Sequence, residues 1–179
     1  MTSISTTGRI IAEQIVRSSD TFSGGLSQSI ANRGNDVWGS GPLWDAAILS
    51  MRTHAGGLAQ NLENLKLLGA DVLAQLSPEL RSQLDDQLKA IKAVLDEIHT
   101  DKGGRFVPQL NSFDTFGKNV ATQIKELLAK ADEAQAAAAR ESVKGAELHD
   151  WNLVDDVAKE TVKVTEEAGE QVARAAGGR

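Results

Sequence analysis

From Trp44 to Leu76, apolar and small residues recur in steps of four and three: Trp44, Ile48, Met51, Ala55, Leu58, Leu62, Leu65, Gly69, Val72 and Leu76. A strand would alternate every second residue, whereas this spacing keeps one stripe on one face of a helix. A stripe this narrow is the seam of bundles and coiled coils, and it predicts a long helix following Pro42. Gly56 and Gly57 fall at its midpoint, costing up to about 2 kcal/mol of helix propensity relative to two alanines. Close approach of another backbone, a kink or a hinge would each account for them.

Ser77-Pro78-Glu79 is a restart signal, with a capping hydroxyl, a proline at the first helical position and an acid in the first turn. The helix it opens carries its own seam, Leu84, Leu88, Ile91, Leu95 and Ile98, and is expected to stop at Lys102-Gly103-Gly104. Only one or two residues separate the two helices, which predicts an antiparallel hairpin over 43–103.

After it the pattern weakens. Residues 105–112 read as a loop around Pro108, with Asn111 or Ser112 capping a helix whose inner face runs Phe113, Phe116, Val120, Ile124, Leu127, Ala131, Ala134 and Ala138. Gly145 reads as a break and Asp150 as the cap of a last helix bearing Val154, Val157, Val164, Ala168, Val172 and Ala175. Together these predict a second, weaker hairpin over 112–176. Residues 1–41 read as an irregular or short-helical N-terminal arm, partly flexible. It holds a short helix from about Gly8 to Ser18 and a second turn on Phe22, Leu26 and Ile30, interrupted by Gly24-Gly25, Gly34 and Gly39-Ser40-Gly41. The fold expected is an all-α, elongated bundle of four main helices in two antiparallel hairpins.

Composition agrees with that class. Aromatics are only 4% of 179 residues and Tyr is absent, so Leu, Ile, Val and Ala must fill the core. The lack of Cys excludes disulfides, thiol nucleophiles and Cys-ligated metals. Net charge is −6, with the acidity concentrated after residue 111, a surface that repels phosphate backbones. Nucleic acid is therefore not an expected partner. Ile10-Ile11-Ala12 meets Glu13 and Gln14 before a signal-peptide core can form, and no run approaches the roughly 18 apolar residues of a transmembrane segment. The expectation is a soluble protein, cytoplasmic or secreted by a route without a cleaved signal.

Candidate chemistry is sparse. Asp96 and His99 share a helix face, but a di-metal bundle site needs two Glu-x-x-His motifs and two further carboxylates. The acidic doublets Asp85-Asp86, Asp155-Asp156 and Glu166-Glu167 diverge by about 100° around a helix and cannot converge as acid and base. Gly39-Ser40-Gly41 lacks the strand and the Gly-Lys-Ser/Thr of a phosphate loop. No catalytic, metal or cofactor-binding residue is expected, and no cofactor. The candidate partner-contact or hinge residues are Phe22, Trp38, Gly56, Gly57 and Trp151.

These patterns point to a non-enzymatic helical interaction or assembly protein, with a protein partner or self-association. The Ala/Val/Lys/Glu-rich composition of residues 113–176 resembles that of phasins, helical proteins that coat storage-polymer granules. That resemblance implies a surface-active protein with a peripheral lipid or polymer surface as its partner. The Ser/Thr-rich start supplies a third expectation, a secreted effector or translocation component.

Overall fold

The computed structural model describes residues 3–34, 41–100 and 104–177, with side chains described through Lys144. Among the described residues every regular element is helical: α1 Thr6–Gly34, α2 Pro42–Leu68, the single turn α3 Ala70–Leu73, α4 Pro78–Glu97 continued by a 3-10 turn Ile98–Thr100, and α5 Val107–Gly177. The protein is an all-α helical bundle.

All ten seam positions from Trp44 to Leu76 are buried. Gly69 ends α2 at φ −114° and ψ 36°, yet the stripe continues in register through Val72 to Leu76. The start of α4 follows the sequence signal closely: Ser77 Oγ accepts from the Leu80 amide, and Pro78 occupies the first turn. Leu80 and Val94 join Leu84, Leu88 and Ile91 in the core, while Leu95 is only half-buried. The seam of α5 fades as its side chains shorten. Phe113, Phe116, Val120 and Ile124 are buried, Leu127, Ala131 and Ala134 half-buried, and Ala138 exposed. Truncating a buried Phe of this kind to Ala costs about 3–5 kcal/mol.

Polar contacts fix the helix directions. Ser29 meets Ser50, and Ser5 meets Asp71, at opposite ends of an antiparallel α1–α2 pair. Lys66 reaches Asp85 and Glu63 reaches Lys92 between antiparallel α2 and α4. Ser77 meets Gln123 between α4 and α5, while Ser23–Asp114 and Arg9–Asp132 join α5 back to α1. The up-down-up-down ring closes on one core.

Besides the end of α2 at Leu68, inside the stripe read as one long helix, three details differ from the sequence pattern. First, in place of the irregular or short-helical arm expected over 1–41, α1 is one continuous helix of 29 residues. Gly24 and Gly25 do not interrupt it, because two glycines cost only about 2 kcal/mol and α2 packs against the second. Second, α5 starts at Val107 rather than at Asn111 or Ser112. Pro108 sits in its first turn, where a missing N–H removes no helical bond. Third, the second hairpin over 112–176 is absent: α5 runs unbroken through Gly145 and Asp150. One glycine among Ala, Val, Lys and Glu is too small a penalty to end a helix without a proline or a cap.

The chain divides into two compact units, Met1–Asp132 and Glu133–Arg179. The boundary therefore falls inside α5 rather than near residue 41. The first unit holds the bundle core; the second consists of the C-terminal stretch of α5.

Candidate functional site

The most distinctive surface of the bundle is the seam between α1 and α2. Gly8, Ile11, Ile15, Ser18, Phe22, Gly25 and Ser29 lie in steps of three and four along α1. Opposite them, Ser50, His54, Gly57, Asn61, Gly69 and Asp71 run in reverse order. The ring of Phe22 lies across Gly57, and the ring of His54 lies across Gly25. Each helix thus supplies one ring and one glycine, and the two rings meet edge to face with centroids 6.5 Å apart.

Hydroxyls and amides complete the contact. Asn61 Nδ2 donates to Ser18 Oγ at 2.7 Å, and the Ser5 amide donates to Asp71 Oδ2 at 2.6 Å. The Ser5 hydroxyl in turn accepts from the Gly8 amide, so Asp71 holds the capped start of α1. The hydrogen bond from the Ser5 amide is the largest influence on the Asp71 carboxyl and holds it below its ordinary range, against a smaller opposing effect of desolvation.

At the other end Ser29 Oγ donates to the Gly25 carbonyl at 2.6 Å and lies 2.5 Å from Ser50 Oγ. His54 Nδ1 is 2.7 Å from the Ser50 carbonyl and 3.2 Å from Ser50 Oγ. A carbonyl can only accept, so Nδ1 carries the proton. The chain of donors runs from His54 to Ser50, to Ser29, to Gly25. In this arrangement His54 Nδ1 takes no proton from Ser50, and the contact between the two helices passes through Ser50 and Ser29.

Behind this seam α1 meets α5 through Ser23, whose Oγ donates to Asp114 Oδ1 at 2.5 Å. Asp114 is 6% exposed and also pairs with Lys118 at 3.2 Å. Both of its oxygens are thus partnered, as burial of a polar side chain requires.

Open grooves lie beside the core among the described residues. One of about 290 Å³ lies between α1 and α5 and is lined by Ser19, Asp20, Lys118 and Lys125. Another, about 350 Å³ between α4 and α5, is lined by Gln83, Gln87, Asn111, Thr115, Phe116 and Asn119. Among the described residues no group of three His, Asp or Glu side chains could hold a metal ion, and no helix is long and apolar enough to cross a membrane.

No family model, curated protein or solved structure matches this chain.

The structure places three of the five candidate contact or hinge residues side by side. Phe22 is half-buried over Gly57, while the neighbouring Gly56 faces open space. Trp38 and the side chain of Trp151 lie outside the described residues. The small and polar members of the α1 stripe are not apolar and so stand outside a seam counted on Ile and Phe alone. Their three–four spacing becomes visible in the sequence when Gly and Ser are counted with Ile and Phe as seam residues.

Proposed function

We propose that this chain is a non-enzymatic helical module that binds and assembles with other proteins through helix faces. The observation that carries this reading is the second unit. From Glu133 onward α5 is a compact unit consisting of one helix. A helix buries an apolar stripe only against another element, and a lone helix gains little stability from propensity alone. In the described part of this stretch Ala138 is exposed and Val143 is 58% exposed. At 100° per residue Val154, Val157, Val164, Ala168 and Val172 fall within about 60° of Val143, on another side of the helix from Ala138. A protein partner or a further copy would supply the missing face.

Light scattering on the full chain, alone and after capture of partners from its source cell, tests this. The expected result is a mass above the 19.1 kDa of one chain, lowered when Val154 and Val164 are both replaced by Glu. A strict monomer that retains no partner contradicts it.

A second reading is a surface-active protein that coats lipid or polymer. Ile10, Leu43, Leu49, Leu67 and Leu68 favour it, being more than half exposed. Flotation with neutral phospholipid vesicles decides it, and protein left at the bottom of the gradient ends the idea.

A further inference from the structure

We propose that α1 exchanges between copies of this chain. The face of α2 and α5 on which α1 lies is then an interaction surface, and its partner is α1 of a second copy. This goes beyond assembly through the distal part of α5 and rests on different residues.

The first ground is what α1 buries. Its large buried apolar side chains are Ile11, Ile15 and Leu26, with Val16, Phe22 and Ile30 partly covered, and Ser19, Ser23 and Ser29 are buried beside them. By contrast the buried residues of α4 are all Leu, Ile or Val, and α2 buries one polar side chain, Asn61. A helix held by small residues and hydroxyls gives up less apolar contact on leaving than one held by leucines.

The second ground is selectivity. An occupant of this face must place a glycine against the His54 ring and, three residues earlier, an aromatic ring over Gly57. It must also carry hydroxyls that meet Asn61 and Ser50, and a buried hydroxyl for Asp114. α1 of a second copy meets every one of these conditions. An unrelated amphipathic helix with a leucine stripe would bring a Cβ within 2.1 Å of His54 Nε2 and have to displace the ring.

The third ground is charge. Between Thr6 and Gly34 the chain carries Arg9, Arg17 and Arg33 against Glu13 and Asp20, a net +1. The whole chain is −6, so the remainder is −7. Two bodies repel each other, but the α1 of one is drawn to the body of the next. Exchange restores each lost contact in kind, which is why swapping an identical element is a low-cost route to a dimer.

The absence of Cys makes the test clean. Ser29 is 2% exposed and its Oγ sits 2.5 Å from Ser50 Oγ, so a disulfide between these positions reports docked α1. Two single variants, Ser29→Cys and Ser50→Cys, are mixed under mild oxidation and resolved without reductant. Exchange predicts a mixed disulfide in at least about tenfold excess over either same-variant dimer, since docking raises the effective concentration of that pair alone. A mixed product no more abundant than the same-variant dimers overturns the proposal. Should a variant fold poorly, hydrogen exchange of the unsubstituted chain reads the undocking of α1 that exchange requires. Amides of residues 8–29 are expected to open together and sooner than those of residues 84–98, and equal protection of the two helices overturns it.

Discussion

The ring of Phe22 lies across Gly57, so that a Cβ at this position would come within 2.5 Å of the ring carbon Cε1. Gly56, its neighbour in sequence, has nothing within 4 Å of the same point. One substitution at two adjacent residues should therefore act in opposite directions. Gly56→Ala removes a helix penalty and is expected to stabilise the protein by up to about 1 kcal/mol. Gly57→Ala gains the same propensity but displaces the Phe22 ring, for a net loss of about 1–3 kcal/mol. Denaturant melts of both variants check this, and Gly24→Ala against Gly25→Ala repeats the comparison on α1, where His54 supplies the ring.

Asp114 offers a test of the polar side of α1. Ser23→Ala leaves a buried carboxylate with the Lys118 contact alone, and is expected to cost about 1–3 kcal/mol. Ser82→Ala, on an exposed surface of α4, should stay within about 0.5 kcal/mol. Thermal or chemical melts compare the pair, and equal effects would show that Ser23 contributes nothing through Asp114.

Asp71 gives the hold on the start of α1 a pH dependence. Its carboxyl is held below the ordinary range chiefly by the Ser5 amide. A carboxyl whose folded pKa is depressed stabilises the fold above its unfolded value, about 4, and loses that contribution as pH falls through the folded value. The stability difference between the unsubstituted chain and Asp71→Asn should thus be full at pH 6 and shrink progressively below about pH 4. In an NMR titration the Ser5 amide should shift over the same range.

Gly145 tests the continuity of α5. In a helix interior, Gly145→Ala should raise helicity by circular dichroism and stabilise its stretch by up to about 1 kcal/mol. In the loop that sequence pattern suggested, the same change would leave helicity unaltered or lower it.

How much of this could be read from the chain differs by helix. The stripe from Trp44 to Leu76 predicted every one of its buried positions, because Leu, Ile and Met on a three–four spacing have no competing explanation. The Ser77-Pro78 start of α4 was equally plain, since cap and proline act locally. α1 was not legible as one helix: its seam is Gly, Ser, Ile and Phe, and the glycines that look like breaks are where rings from the opposite helix lie. Nor could Gly145 be read correctly, because the cost of a single glycine is weighed against a whole stretch of neighbours rather than decided at one residue. Asp114 gave no signal either; a lone Asp in an amphipathic pattern looks solvated until Ser23, 91 residues away in sequence, is placed against it.

The central claim is that α5 beyond Asp132 keeps a helix face for partners. Hydrogen exchange on the full chain at low concentration tests it most directly. Amides of residues 133–177 should exchange at least about 100-fold faster than those of residues 113–124, with the change falling near Asp132. Protection equal to that of the bundle core along the whole of α5 would contradict the claim, because the stripe would then already be covered within one chain.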